Sequence, residues 1–285
     1  MIRWGAATPQ KGDPIGTSSV CGQAEEALNS PAMTDVSASA KPSRFSILAN
    51  PTRFLELSGK LQPWLYGAAL AALAVGLTLG LTAPADYQQG ATVTIMFVHV
   101  PFAWLSMMIW TVMSLSALGT LVWRHPLADV SVKAAAPIGA VFTALCLITG
   151  SIWGRPMWGT WWVWDARLTS VFVLFLMYLG LIALTRALED QSKSAKSSAI
   201  LVLVGFVNIP IIKFSVDWWN TLHQPASVLR VDGPAMPAAY LTPLLVSAIG
   251  FTLLFFALHL TAMRTEILRR RVAALSRLAA RRAEA

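Results

Sequence analysis

Four histidines and a dense run of tryptophans are the residues of this 285-residue chain whose type and spacing could do chemistry. From position 153 the sequence reads Trp153-Gly-Arg155-Pro-Met-Trp158-Gly-Thr-Trp161-Trp162-Val-Trp164-Asp165-Ala-Arg167, five tryptophans within 12 residues. An aromatic belt at a membrane surface accounts for one or two tryptophans per helix end. It does not readily account for five, bracketed by two arginines and an aspartate. On a helix, Trp158, Trp161, Trp162 and Asp165 fall at i, i+3, i+4 and i+7 and share one face. That face would be a flat, rigid, apolar platform for a large planar aromatic ligand. Arginines beside it suit a ligand that also carries carboxylates.

His99 stands two residues before Pro101, and His223 four residues after Trp219 in Asp217-Trp-Trp219-Asn-Thr-Leu-His223-Gln-Pro225. A lone histidine is usually a polar loop residue. Two that flank a tryptophan platform on one side of a membrane form a pair of axial ligands for a porphyrin iron, since imidazole is a standard ligand there. Asp165 has two readings: an acceptor that orients a ligating imidazole, or a local ion pair with Arg167, slightly the more favoured. No nucleophile, base and oxyanion donors are arranged for hydrolysis, so a catalytic role is doubtful. The two cysteines, Cys21 and Cys146, imply no disulfide framework, and no Cys-x-x-Cys-His attaches haem to the chain itself. Walker A, Gly-x-Gly-x-x-Gly and His-Glu-x-x-His motifs are absent as well.

The elements that must position these residues are membrane spans. Hydrophobic residues make up 55% of the chain and charged ones only 13%, about half the usual soluble share of roughly 25%. Six uncharged stretches, 63–83, 92–123, 134–154, 168–185, 197–212 and 233–263, predict an all-α protein with six spanning helices. Pro101 suits the first turn of the second span, which leaves 84–100 outside it. Pro234 and Pro237 defer the sixth helix to about Ala238. Asn208 and Pro210 predict a break in the fifth, tolerated where neighbouring helices bury it.

Lysines and arginines set the orientation. Of 22, 18 fall in the two termini and the second and fourth loops; only Arg155, Arg167, Lys213 and Arg230 fall on the other side. The positive-inside rule puts both termini in the cytoplasm, and the bias survives without residues 1–40. His99, His223 and the Trp-rich third loop then face outside. His125 and His259 lie at the inner side, about 30 Å away across one span; they read as loop surface and interfacial snorkelling. The net charge of +8 reports topology and contact with anionic lipid rather than a nucleic-acid partner. Residues 1–61 read as a flexible cytoplasmic tail without the apolar core of a signal peptide, with Met33 an alternative start. Residues 62–263 form the membrane domain. Residues 264–285 read as a basic amphipathic helix, with Leu268, Val272, Leu275 and Ala279 on one stripe. It lies on the inner leaflet or, in the sharper reading, docks on a cytoplasmic partner.

The run from Trp158 to Ser170 resembles the WWD segment of the haem-handling proteins of cytochrome c biogenesis. Together with Asn50-Pro-Thr-Arg53, Tyr87-Gln-Gln-Gly90, Val98-His99-Val-Pro101 and Trp219-Asn-Thr-Leu-His223, it resembles the haem exporter protein C family of cytochrome c maturation over about 50–263. The resemblance implies transient, non-covalent binding of haem b at the periplasmic face of the bacterial inner membrane. His99 and His223 would be the axial ligands, and Trp158, Trp161, Trp162, Trp164 and Asp165 the platform. It also implies transfer to a membrane-tethered haem chaperone, beside the ATPase and membrane subunits of an ATP-binding-cassette transporter and a small one-helix subunit. Arg155, Arg167 and Arg230 are candidates for propionate contact by charge and side alone.

Two other classes remain. A permease moving haem or another amphiphile needs polar groups near the bilayer midplane, and only Asn208, serines, threonines and Cys146 are available. A pure scaffold for the transporter pair leaves the outer histidines and the platform unused.

Overall fold

A computed structural model describes residues 50–284 except 225, 226 and 229. The tail expected over 1–49, with the alternative start at Met33, lies outside the described residues. Seven α-helices follow: α1 (Pro51–Leu81), α2 (Met96–Val122), α3 (Ala128–Trp158), α4 (Ala166–Ala187), α5 (Gln191–Gly205), α6 (Asn208–Trp218) and α7 (Ala238–Glu284). A 3-10 turn at Ala91–Ile95 leads into α2, and no strand forms among the described residues. With α5 and α6 taken together, six helical segments are long and apolar enough to cross a membrane. This is the expected six-span, all-α architecture.

The helix ends follow local chemistry. Asn50 caps α1 by accepting from Thr52 N at 2.9 Å, with Pro51 at the first helical position. Residues 51–61, read as tail from the sequence, are therefore helical. Asp190 caps α5, accepting from Ser192 N and Lys193 N at 2.8 and 3.1 Å. The fifth span breaks at Phe206–Val207 as expected. The break is anchored: Asn208 Nδ2 donates to Ser170 O at 2.8 Å, so the polar group has a partner where lipid offers none. The sixth helix starts at Ala238, after the two prolines.

Two boundaries differ from the sequence expectation. α2 starts at Met96, so Pro101 sits within it and His99 lies on its first turn rather than ahead of it. The tail is not a separate surface helix. α7 runs unbroken for 47 residues, about 70 Å at 1.5 Å each. No glycine or proline after Gly250 would turn it onto the leaflet.

α2 and α3 pack together at the centre, α1 pairs with α7 on one flank, and α4 to α6 close the other. The α1–α7 crossing is tight: a Cβ at Gly76 would come within 2.7 Å of Ser247 N, and one at Gly250 within 2.9 Å of Leu73 N. Small residues at such crossings let helix backbones meet where lipid supplies no hydrophobic drive. In the core Trp110 donates to Val202 O at 3.0 Å and Tyr178 to Ser106 O at 2.8 Å. Buried polar tips are thus paired across helices.

Candidate functional site

The outer end of α3 gathers the residues singled out by chemistry. Its last turns carry Thr149, Gly150, Trp153 and Trp158, and the two outer histidines lean on them from different elements. His99, on the first turn of α2, places Nδ1 3.0 Å from Thr149 Oγ1 and meets Trp153 edge-to-face at 5.6 Å. Trp153 is held in turn by its indole N–H, which donates to Gln89 Oε1 at 3.1 Å. Gln89 sits in a turn closed by Asp86, whose carboxylate accepts from Gln88 N and Gln89 N at 2.9 Å each. His223, in the loop between α6 and α7, meets Trp158 edge-to-face at 5.1 Å.

Asp165 does two jobs at once. Oδ1 caps α4 by accepting from Leu168 N at 2.7 Å. Oδ2 accepts from Leu222 N at 3.3 Å and lies 3.7 Å from His223 Nδ1. That last distance is too long for a hydrogen bond, and His223 Nδ1 is buried without a partner. Burial first, and the Arg167 guanidinium second, pull His223 down to about 4 from the usual 6.5, against the opposing pull of Asp165. His223 is therefore neutral at pH 7 and keeps a lone pair for a metal.

The expected pairing of Asp165 with Arg167 is not formed. Arg167 reaches instead to the middle of α6, donating to Ser215 Oγ at 3.0 Å and to the Ile212 and Lys213 carbonyls at 3.3 and 3.2 Å. These bonds use Nε and Nη2 and tie α4 to α6, while Nη1 takes part in none of them. Arg155 is exposed and donates to the Gly159 carbonyl. Arg230 is exposed and lies 4.0 Å from Asp232. Both stand at the outer rim.

The platform differs in shape from the one expected. Trp158 is the last residue of α3, and Gly159 ends the helix in the left-handed region at φ 75°, where glycine costs least. Trp161, Trp162 and Trp164 follow in an irregular segment, so the helical face shared with Trp158 does not exist. Trp162 and Trp164 instead lie edge-to-face at 5.4 Å and both meet Phe172, at 6.0 and 6.2 Å. With Leu147, Ile148, Ser151 and Ile152 of α3 they line an open, apolar groove. The indole N–H of Trp162 is buried and unpartnered. Trp161 and Trp164 remain largely exposed.

The arrangement fits a metalloporphyrin better than a bare ion. Among the described residues no group of three or more His, Cys, Asp or Glu side chains could hold a metal. A porphyrin supplies four nitrogens of its own and asks the protein for two more. A family model described as Heme exporter protein C matches residues 44–278. The chain belongs to that family. A heme exporter protein C of Bradyrhizobium diazoefficiens is 67% identical over 235 residues, 82% of this chain and 89% of the relative. Those of Paracoccus denitrificans and Escherichia coli are each 49% identical, over 80% and 78% of this chain and 95% and 89% of theirs. The range matched to the family takes in all the spans, His99, His223, the Trp-rich segment and most of α7.

Of the inner histidines, His125 is a loop residue as expected, its Nδ1 accepting from Leu127 N at 3.3 Å. His259 does not snorkel to the protein surface. It is buried at 6% exposure, stacked on Phe255 at 5.5 Å, with Nε2 3.1 Å from Ser131 Oγ. Sequence reasoning also missed Thr149, Gly150 and Gln89. Their partners lie 50 or more residues away, and no local pattern marks them.

Proposed function

We propose that this protein binds haem b, non-covalently and transiently, at the periplasmic face of the bacterial inner membrane, and presents it to a membrane-tethered haem chaperone during c-type cytochrome biogenesis. His99 and His223 supply the axial nitrogens. Trp158, Trp162 and Trp164 give apolar area to the macrocycle edge. Trp161 and the exposed face of Trp164 are free to meet the chaperone. Arg155, Arg230 and the Nη1 end of Arg167 are the cations for the propionates, and Asp165 holds the loop between α6 and α7 against α4 beside His223. The ATPase and membrane subunits of an ATP-binding-cassette transporter and a small one-helix subunit are the partners this reading requires.

The observation that carries the reading is the meeting of two histidines, from α2 and from loop five, on one helix end beside an aromatic groove. The chain contributes ligands and orientation; no nucleophile on it forms a bond to haem. The test is the absorption spectrum of the purified protein. A haem-loaded protein with two imidazole ligands gives a low-spin spectrum, and the His99→Ala, His223→Ala double variant loses it. A wild-type spectrum in the double variant overturns the assignment. Reporter fusions after Pro84 and Asp232 should score external and one after Asp190 internal. An internal score at Pro84 would put His99 on the wrong side.

A further inference from the structure

The contacts around His99 go beyond its identity as a ligand and decide which of its nitrogens is presented. Thr149 Oγ1 lies 2.7 Å from Leu145 O and 3.3 Å from Cys146 O, one turn back along α3. A hydroxyl has one proton, and here it is committed to the helix backbone. Towards His99 Nδ1, 3.0 Å away, Thr149 can only accept. Nδ1 must then carry the hydrogen, and a neutral imidazole with hydrogen on Nδ1 has its lone pair on Nε2. A free histidine exchanges its proton between nitrogens and turns about its ring bond; this one is held in one tautomer.

Two further contacts fix the ring's direction. Trp153 closes one side edge-to-face, 5.6 Å between centroids. A Cβ at Gly150 would lie 2.9 Å from His99 Cε1, the carbon between the two nitrogens. Any side chain at 150 would lift the ring off α3, breaking the Thr149 contact and swinging Nε2 together. We propose that Thr149, with Gly150 beneath the ring, is a positioning residue that locks His99 as the Nδ1–H tautomer and so makes Nε2 the nitrogen that meets haem iron. The inference rests on the haem-binding reading above. His223 has no equivalent: its Nδ1 faces Asp165 at 3.7 Å, beyond bonding distance. His99 is thus the fixed ligand and His223 the adjustable one.

The experiment uses the full chain, purified and stripped of haem, titrated with haemin. Thr149→Val keeps the shape and removes the acceptor; Thr149→Ser keeps the acceptor. One net hydrogen bond corresponds to roughly a three- to tenfold change in affinity. Thr149→Val should weaken haemin binding by that factor, introduce a high-spin fraction that added imidazole removes, and raise the reduction potential. The potential rises because an imidazole that loses its N–H acceptor is a poorer donor to ferric iron. Thr149→Ser should restore all three. Wild-type affinity, spin state and potential in Thr149→Val, alongside loss of low-spin haem in His99→Ala, overturns this inference alone. Unchanged haem in His99→Ala overturns the site itself. Gly150→Ala should show the same spin change more strongly, and thermal melting of each variant without haem separates that change from misfolding.

Discussion

The inner and outer ends of the bundle both concentrate polar side chains, and they treat charge in opposite ways. At the inner end Glu266, its side chain 7% exposed, takes Lys133, Arg270 and Arg269 at 2.8, 3.0 and 3.1 Å. Asp129 takes Arg270 at 2.7 Å, and Arg264 ties α7 to α1 through the Leu55 carbonyl and Ser58 Oγ. At the outer end Asp165 stops 3.7 Å short of His223, and Arg230 and Asp232 are 4.0 Å apart in solvent. Unpartnered buried atoms occur at both ends, His259 Nδ1 and Ser198 Oγ inside, His223 Nδ1 and Trp162 Nε1 outside. Of these four residues, Trp162 lines the aromatic groove and His223 packs against Trp158. The inner charges lock helices; at the outer end Arg167 and Asp165 also fix the backbone, but the His223 and Trp162 nitrogens beside them are left without partners, which is what binding and releasing a ligand needs.

The sharpest way to break this comparison is to exchange the histidine pairs. Loss of both outer imidazoles, His99→Ala with His223→Ala, should abolish low-spin haem in the purified protein, whereas His125→Ala and His259→Ala should keep it. Haem lost on His259→Ala would move the reading toward a conduit through the bundle. Next in size is a stability effect confined to the inner end. Glu266→Ala leaves three cations without their shared carboxylate. Removing one partner of a buried pair costs about 3–5 kcal/mol, and the exposure of Lys133 and Arg269 at 37% and 67% brings the expectation to about 1–3 kcal/mol. Thermal or denaturant melting should show this loss, with an unchanged haem spectrum in the folded fraction. A changed spectrum would mean that the ends are coupled.

Within the outer end, Trp158→Ala removes the ring that meets His223. Aromatic contacts of this kind are worth about 0.5–1.5 kcal/mol beyond area, so haemin affinity should fall a few-fold while two-histidine character remains. Trp161→Ala, at a side chain 59% exposed, should leave affinity nearly intact and lower transfer to the chaperone instead. Equal losses in both binding and transfer for the two variants would erase that division. The smallest effect concerns pH. His223 titrates near 4 rather than the usual 6.5 because of burial and Arg167. Its lowered value means that the folded loop resists protonation: nothing changes above 6.5, and loop stability declines as pH falls from there toward 4. Haemin affinity should therefore be level between about pH 7.5 and about pH 5.5. A midpoint near 6.5 would show an ordinary solvated imidazole.

The sequence by itself determined the six spans, because apolar runs in lipid must satisfy their own backbone and only a helix does so within one segment. It also determined the start of α7 behind Pro234 and Pro237 and the break at Asn208, and through the lysine and arginine bias it set an expectation for the orientation. It marked His99, His223 and the Trp-rich run as residues of one face. Tertiary structure decided the rest. The helical period that put Trp158 and Trp162 on one platform holds only while a helix continues, and Gly159 stops it at φ 75°. Arg167 was assigned to Asp165 because they are neighbours in sequence, yet the middle of α6 offered it a hydroxyl and two carbonyls. His259 looked interfacial from its distance to Arg264, but the continuation of α7 and the Ser131 hydroxyl draw it into the bundle. Thr149 and His99 are 50 residues apart, and only the packing of α2 on α3 makes one the acceptor that sets the other's proton.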